Sequence, residues 1–445
     1  MGHLSGSNGT RNRPCPLPIN SNQDGETMKG FFQLIGRREF MKLLARFEPL
    51  EREETGLDGA RGRIIFENIR SPEDLPPFSR STMDGFAVRA KDTFGCSESE
   101  PALLNIVGEI PMGAAGDHLE IMPGQTAKIW TGGALPKGAD SVVMVEYTHL
   151  VDPETIEVFR PVAPGENVIL QGEDFREGEI VFNAGHELRS QDIGVLAGLG
   201  ITRIPVFRRP RVAIISTGDE LVPPERRPAP GQIRDINSTT LASQVEEAGG
   251  ISLKMGIIGD DPEAMLEACQ DALDSGADIL LLSGGSSVGR RDFTLTVFEA
   301  IPGTEVLAHG VSIRPGKPTI LAKRGNQALF GLPGHVASAM VVFYLFVRPL
   351  VRFMSGRELS IGLPEILATC SQEIPSVSGR EDFVRVRLQR LPDRDLPEAF
   401  PVWGRSGLLR PLVKADGLLI VPRDSEGLER GERARVLLFS PNSPS

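Results

Sequence analysis

The sequence is poor in cysteine and tryptophan, and these shortages exclude several kinds of protein. The 445 residues include four cysteines and two tryptophans. The cysteines lie far apart and form no CxxC pair and no Cys/His cluster with metal-ligand spacing, which argues against a zinc site and favours free thiols in a reducing cytosol. They are Cys15, Cys96, Cys269 and Cys370. Two tryptophans are too few for a stacking platform on single-stranded nucleic acid.

The chain also lacks an excess of basic charge and a long apolar run. Its net charge of −11 argues against non-specific binding to nucleic acid, which depends on Lys and Arg meeting phosphates. No segment approaches the ~18 uninterrupted apolar residues of a membrane span. The longest apolar candidate, residues 336–351, contains Arg348 and Pro349 and predicts a buried helix. The opening residues lack the apolar core of a signal peptide, so we expect a cytoplasmic protein with no membrane partner.

The length predicts three or four domains, and the composition changes along the chain suggest where they lie. We expect a disordered tail at residues 1–36, a helical and extended linker domain at 37–75 and 165–206, and an inserted β-rich domain at 76–164. An α/β domain at 207–356 and a C-terminal β domain at 357–445 follow. The apolar spacing from Phe40 to Leu50 predicts the first helix, which ends near Pro49.

Apolar strands alternate with amphipathic helices after residue 210. Strands at 212–216, 253–258 and 279–282, with helices at 238–248, 262–274, 293–300 and 335–353, are typical of parallel βα units. Asn237 or Ser238 is expected to cap the first of these helices. Short strands at 382–388, 417–421 and 433–439 predict a small terminal barrel or sandwich. The fold class is therefore α/β plus β, with a doubly wound domain in a multidomain chain.

Residues 278–292 (DILLLSGGSSVGRRD) are the most informative segment. A buried strand runs into a turn of glycines and serines, and a helix then begins. Glycines allow a ligand close to the backbone, and free N–H groups at a helix start attract anions, so the turn predicts a phosphate site. The alternative is a tight loop that binds nothing. The candidate phosphate-binding residues are Ser283, Gly284, Gly285, Ser286, Ser287 and Gly289.

Acidic residues follow three of the predicted elements at the same edge of this sheet. Asp219 and Glu220 come after the strand at 212–216, and Asp260 and Asp261 come after the next strand. Asp292 follows the glycine turn. Carboxylate oxygens are ligands for a hard divalent cation such as Mg²⁺, which would offset phosphate charge. Helix capping is the alternative for Asp261 and Asp292, and a solvated turn is the alternative for Asp219 and Glu220.

Two further sites carry polar residues in glycine- or proline-bearing loops. The prolines and the glycine of residues 314–318 (RPGKP) restrict the backbone so that Lys317 can contact an anion. The alternative is that Lys317 is an ordinary surface lysine. Asp84 directly precedes a predicted strand, and Thr131 opens a glycine turn after another. On spacing alone these last two are ordinary hairpin loops.

Six ordered motifs resemble the signatures of the molybdopterin molybdenumtransferase family, known as MoeA in bacteria and as the E domain of gephyrin in animals. They are STMDGFAV at 81–88, TGGALPKGAD at 131–140, STGDEL at 216–221, SGGSSVGRRD at 283–292, PGKP at 315–318 and GLPG at 331–334. The similarity runs from about residue 37 to residue 439.

The resemblance implies a fold and a reaction. Family members are elongated homodimers of four-domain chains with a MogA-like α/β domain. Their active cleft lies between the α/β domain of one subunit and the β domain of the other. They take adenylylated molybdopterin and molybdate, insert the metal into the dithiolene and release AMP in a step that depends on a divalent cation, here expected to be Mg²⁺.

The resemblance also implies roles for individual residues. The catalytic set comprises Asp84, Thr131, Glu220, Asp292 and Lys317. The metal set comprises Glu220, Asp260, Asp261 and Asp292. The pterin-binding set comprises residues 283–289 together with Arg314, Pro315 and Gly316. Asp84 and Thr131 belong to the β-domain side of the cleft, and the others belong to the α/β side.

The chain departs from the family pattern at three places. His335-Val336 stands where Asn-Pro is frequent, Arg314 where Lys is common, and Arg410-Pro411 where a serine pair is common. The last change puts in doubt a contribution of the terminal domain's hydroxyls to oxyanion binding. A tungstate-preferring paralogue and a non-catalytic scaffold like gephyrin are the alternatives. A molybdopterin adenylyltransferase is the candidate protein partner.

Overall fold

The computed structural model describes residues 34–284, 291–392 and 394–440. It begins with helix Arg37–Leu44, whose Phe40 and Leu44 are fully buried. The helix is shorter than the apolar spacing predicts, because Phe47 and Leu50 reach the same core from irregular chain. The Phe40 ring lies 4.2 Å from the Phe346 ring of the α/β domain, so this helix packs on that domain.

Strands from two distant parts of the chain form the linker region. Arg52–Gly56 pairs with Arg203–Phe207, Ile69–Arg70 with Ile180–Phe182, and Arg80–Ser81 with Val168–Ile169, all antiparallel. Helices Leu57–Ala60 and Ser190–Gly198 lie beside them. Their core contains Ile65, Leu196 and Val206. The residues between the two paired halves are an insertion that folds apart from this region.

The insertion forms a six-stranded β-sheet. In spatial order its strands are Ser141–Met144, Gly85–Val88, Gln125–Ile129, Ala102–Ile110, Thr155–Val158 and Thr148–Asp152. Short 3-10 helices are Ala90–Thr93, Gly116–His118 and Val145–Tyr147. The edge strand Thr148–Asp152 is mostly exposed, so it carries no alternating apolar pattern and sequence reasoning missed it.

The α/β domain is built on a six-stranded mixed sheet. Its order is Ile251–Ile258, Arg211–Thr217, Ile279–Ser283, Gln327–Leu332, Ile320–Arg324 and Thr304–His309. The first four strands are parallel and the last two complete an antiparallel edge. Its helices are Asn237–Glu247, Pro262–Asp274, Arg291–Ala300 and the continuous run Val336–Met354, with a small parallel pair Leu221–Val222 and Ile233–Arg234. Helices cover both faces, which confirms the doubly wound domain.

Residues of the helix Val336–Met354 share one hydrophobic core with Phe40 of the first helix and Phe383 of the barrel. The helix contains a π-helical stretch, Phe343–Val347, whose five residues are all buried. By length and composition it could cross a membrane, but 83% of its most apolar window is buried inside the protein. Such burial is typical of a core helix, as the sequence predicts.

A closed five-stranded barrel ends the described chain. Its strands are Glu381–Gln389, Glu398–Pro401, Glu365–Cys370, Arg433–Leu438 and Gly417–Val421, and the last pairs again with the first. Closure leaves these strands without an open edge. A two-stranded pair, Ile374–Pro375 with Gly427–Leu428, and helix Arg410–Val413 accompany it. Strand Ile313–Arg314 of the α/β domain pairs with Glu381, which brings the RPGKP motif against the barrel.

Candidate functional site: two adjoining cavities

A cavity of about 520 Å³ opens where the parallel strands of the α/β sheet end. It is lined by Thr217, Gly218, Glu220, Leu221, Ile233, Arg234, Asp235, Ile236, Asn237, Asp260, Ser283, Gly284, Gly334, His335, Val336 and Gly407. We call it the carboxylate cavity. Carboxyl ends of parallel strands meet at one edge of a sheet, which explains why motifs far apart in sequence converge there.

Three hydrogen bonds tie the start of helix Asn237–Glu247 to the wall of the carboxylate cavity. Asp235, which precedes the N-cap residue Ile236, satisfies a donor of the first turn by accepting from the Ser238 N–H at 3.1 Å. The Asn237 amide instead donates to Ser283 Oγ and to the Gly334 carbonyl, each at 2.8 Å. The expectation that Asn237 or Ser238 caps the helix is therefore wrong. Because a polar residue two positions earlier takes that role, the Asn237 side chain is left to bridge two cavity loops.

Close backbone approach explains the first glycine of the predicted phosphate turn. Gly284 has φ +142°, and a Cβ placed there would lie 2.2 Å from Thr217 Oγ1. Only glycine fits this approach between two neighbouring strand ends. Ser283 and Gly284 both line the cavity. Gly285, Ser286, Ser287 and Gly289 lie outside the described residues.

The structure separates the acidic candidates. Glu220 and Asp260 line the carboxylate cavity. The Asp260 N–H donates to Asp219 Oδ1 at 3.0 Å, which fixes the turn. Asp261 accepts from the Glu263 N–H at 3.0 Å and so caps helix Pro262–Asp274, the alternative considered for it. Asp292 falls in the first turn of helix Arg291–Ala300, and its side chain lies outside the described part.

A resident cation would have few protein ligands in the carboxylate cavity. Within residues 34–284, 291–392 and 394–440, no group of three or more His, Cys, Asp or Glu side chains has a metal-binding arrangement. Three carboxylates line this cavity, those of Glu220, Asp235 and Asp260, and Asp235 already accepts from the Ser238 N–H. The other two nevertheless fit Mg²⁺, which is usually held by one or two carboxylates, substrate phosphates and water. The residues present therefore suit a cation that arrives with a phosphorylated substrate.

A second cavity, of about 650 Å³, lies between the α/β domain and the terminal barrel. Its ionised lining residues are the cations Arg314, Lys317, Arg380, Arg385 and Arg405 and the acid Asp382. We call it the basic cavity. The RPGKP motif thus lines a different cavity from Glu220 and Ser283. Gly316 has φ +114°, and a Cβ there would lie 2.7 Å from the Val342 side chain, so the motif is pressed against the long helix.

Arg385 is the unusual cation of the basic cavity. Its Nη2 donates to the Gly404 carbonyl at 2.6 Å, while its buried Nη1 has no hydrogen-bond partner among the described residues. Burial lowers the pKa of this guanidinium. A buried donor without a partner is costly, and a rotation of the guanidinium that turned Nη1 into the cavity would let an anionic ligand satisfy it. Sequence reasoning missed Arg385, because an arginine in an alternating strand gives no local signal.

Asp382 neutralises part of the basic cavity. It accepts from Arg380 Nε at 2.9 Å, and its other oxygen lies 3.5 Å from Arg314 Nη1. The side chain of Arg314 is nevertheless 62% exposed. Five cations against one acid leave the cavity positive, which suits a dianion.

Hydroxyl groups of the terminal domain do line the basic cavity. Ser378 and Ser406 are among its residues. Arg410 and Pro411 begin a short helix, and Pro411 lies against Gly404 of the cavity lining without lining the cavity itself, among the described residues. Hydroxyls of other serines of the terminal domain are therefore available in the basic cavity.

The two cavities adjoin at the start of the long helix. His335 and Val336 line the carboxylate cavity, whereas Ala337 and Ser338 line the basic cavity. In the barrel, Ser406 lines the basic cavity and Gly407 lines the carboxylate cavity. His335 Nδ1 lies 3.0 Å from Ser406 Oγ across this boundary.

Asp84 and Thr131 form a pair in the β domain. Asp84 Oδ1 accepts from the Thr131 backbone N–H at 2.8 Å and from its hydroxyl at 2.7 Å. These two hydrogen bonds, the backbone one foremost, lower the pKa of the exposed Asp84 carboxyl. Among the described residues of one chain, neither belongs to the lining of the carboxylate cavity or the basic cavity.

Three family models match successive parts of the chain. "MoeA N-terminal region (domain I and II)" matches residues 37–200. "Probable molybdopterin binding domain" matches residues 213–352, and "MoeA C-terminal region (domain IV)" matches residues 368–439. The carboxylate cavity lies largely within the second match, and the basic cavity lies between the second and third.

Relatives and solved structures cover nearly the whole chain. A protein of Methanocaldococcus jannaschii named for molybdopterin biosynthesis is 36% identical over 87% of this chain and 92% of its own length. The molybdopterin molybdenumtransferase of Bacillus subtilis is 32% identical over 87% of this chain and 90% of its own. The crystal structure of a molybdopterin biosynthesis MoeA protein from Pyrococcus horikoshii superposes with a TM-score of 0.80 at 35% identity, covering 92% of this chain and 100% of that one.

Proposed function

We propose that this chain, which belongs to the MoeA family of molybdopterin molybdenumtransferases, inserts molybdate into adenylylated molybdopterin and releases AMP. The observation that carries the proposal is the contact between a cavity lined by carboxylates and a cavity lined by cations. An oxyanion and a phosphorylated pterin need such different surroundings, and the reaction needs them side by side.

Molybdate is proposed to bind in the basic cavity. Its oxygens can accept hydrogen bonds from Lys317 and Arg314 and from the unpartnered Nη1 of Arg385. Charge-assisted hydrogen bonds of this kind are stronger than neutral ones. The hydroxyls of Ser378 and Ser406 add neutral donors to the same space. Tungstate has the same charge and donor requirements, so the cavity's chemistry suits both oxyanions.

Adenylylated molybdopterin is proposed to bind in the carboxylate cavity. The turn that begins at Ser283 and Gly284 would hold its terminal phosphate with backbone N–H groups. Glu220 and Asp260, with Asp292, would hold Mg²⁺, which offsets the charge of the pyrophosphate when bound. Asp261 is less suited to this role, because its side chain already caps a helix.

A second copy of the chain is proposed to complete the site. Asp84 and Thr131 are oriented by their mutual hydrogen bonds and yet line neither cavity of their own chain, among the residues described. In a homodimer, these residues of one copy would face the carboxylate cavity of the other. We propose a cytoplasmic enzyme that receives its substrate from a molybdopterin adenylyltransferase.

The activity can be tested by mass spectrometry. The purified protein is incubated with adenylylated molybdopterin, Mg²⁺ and either molybdate or tungstate, and pterin and nucleotide products are identified. Metal-loaded pterin and AMP are the expected products, and omission of Mg²⁺ should stop their formation. If neither product forms with either oxyanion, the proposed function is wrong.

Complementation between variants tests the shared site. Asp84→Ala and Glu220→Gln should each abolish cofactor formation without unfolding the protein. If the two residues act in one site built from two copies, co-refolding equal amounts should restore roughly one quarter of the activity, since half of the dimers carry one intact site of two. A mixture that stays inactive despite heterodimers would place both residues in the same chain's site. His149→Gln, an exposed change in the β domain, is the matched control.

A further inference from the structure

The boundary between the two cavities is formed by a two-point contact between the α/β domain and the barrel. Ser406 Oγ lies 3.0 Å from His335 Nδ1, and the Ser406 carbonyl accepts from the Ala337 N–H at 3.1 Å. The second bond satisfies a free donor in the first turn of the long helix, which lacks an intrahelical partner. Residues 404–407 therefore rest on the start of helix Val336–Met354 and separate the cavities.

Residues 404–407 are also hydrogen-bonded to Arg385, the residue proposed to bind the oxyanion. Arg385 donates to the Gly404 carbonyl through Nη2, while its Nη1 lacks a hydrogen-bond partner among the described residues. A ligand at Nη1 would hold the guanidinium in place and with it the carbonyl of Gly404. One end of the loop is thus bonded to a residue of the basic cavity, and the other end contacts His335, which lines the carboxylate cavity.

We propose that His335 and Ser406 form a coupling contact, through which molybdate in the basic cavity strengthens the binding of the pterin substrate in the carboxylate cavity. This inference rests on the proposed function. The physical reason is that bound molybdate would order the loop. The pterin substrate would then bind without a second loss of the loop's conformational entropy. The effect must be reciprocal, because coupling between two binding equilibria is the same in both directions. His335 and Ser406 act here as positioning residues.

Initial rates over a grid of molybdate and adenylylated molybdopterin concentrations measure the coupling. In the wild-type protein, the KM for molybdate should fall as the pterin concentration rises. In His335→Ala and in Ser406→Ala, this decrease in the KM for molybdate should be about 5-fold smaller, which is the change expected from the loss of one neutral hydrogen bond. The double variant should lose no more than either single one, since each removes the same contact.

Conservative variants separate coupling from general damage. Ser406→Thr keeps the hydroxyl, and His335→Asn keeps a polar atom near the place of Nδ1, so both should retain coupling. Thermal unfolding verifies that all five variants fold. Unchanged coupling in both alanine variants, or additive effects in the double variant, would overturn the inference. A wild-type protein without activity would instead contradict the proposed function, so the two failures are distinguishable.

Discussion

The carboxylate cavity and the basic cavity are neighbours that are assembled in different ways. Among the residues that the structure describes, the first is made almost entirely by strand ends and loops of the α/β domain, and only Gly407 comes from the barrel. The second takes its cations from both domains, with Arg314 and Lys317 from one and Arg380, Arg385 and Arg405 from the other. The parallel strands of a single sheet therefore suffice to gather acids, whereas the positive surroundings of an oxyanion depend on the docking of two domains.

Among the substitutions that test this difference between the two cavities, Arg385→Met should have the largest effect. Loss of a charged donor should raise the KM for molybdate by about 100-fold, whereas the Mg²⁺ requirement stays unchanged. The melting temperature should not fall much, because the lost group is a partly buried cation with one donor unpartnered among the described residues. Steady-state kinetics and thermal unfolding measure both quantities.

Arg387→Met is the control for Arg385→Met. Arg387 lies two residues along the same strand, with its guanidinium 5.6 Å from the centre of the Phe400 ring. It is absent from the lining of either cavity, among the described residues, so its loss should leave the KM for molybdate unchanged. Equal effects of the two variants would mean that general positive charge, rather than the position of Arg385, attracts the oxyanion.

A smaller effect is expected from Gly284→Ala in the carboxylate cavity. The new Cβ would lie 2.2 Å from Thr217 Oγ1 at a φ of +142°. Backbone strain alone should lower the free energy of unfolding of this domain by about 1–3 kcal/mol, which denaturant unfolding can measure. Gly194→Ala is the comparison, because nothing lies within 4 Å of its position in a helix. There, alanine should stabilise by about 0.5–1 kcal/mol. Similar losses for both would contradict the close approach of the strand ends.

The smallest effect concerns a carboxylate that lines neither cavity of its own chain, among the described residues. Thr131→Val removes the hydroxyl that donates to Asp84 but keeps the backbone donor. The pKa of Asp84 should therefore rise part of the way toward its ordinary value, whereas Thr131→Ser should leave it lowered. Because the folded-state pKa is depressed, stabilisation from these bonds exists above the ordinary pKa and disappears as pH falls through the lowered one. NMR titration of Asp84 measures the shift, and an unchanged pKa in Thr131→Val would contradict a contribution from the hydroxyl.

The α/β domain was the most predictable region. Helix Pro262–Asp274 has the predicted bounds, because Pro262 marks the first turn and the apolar spacing marks the buried face. Strands Ile320–Arg324 and Gln327–Leu332 were missed, since they form a hairpin that interrupts the βα rhythm. The first helix ends before Pro49, because Phe47 and Leu50 are buried without helical structure.

The sequence by itself determined the family, the doubly wound domain and the chemical character of the motifs, because apolar periodicity and glycine-bearing turns are local properties. Only the tertiary structure decided which motifs share a cavity. It separated Lys317 from Glu220, assigned Asp261 to a helix cap, brought Ser406 of the barrel to the start of the long helix and placed Arg385 in the basic cavity. The physical reason is that cavities form where domains pack, and packing joins residues whose separation along the chain carries no local signal.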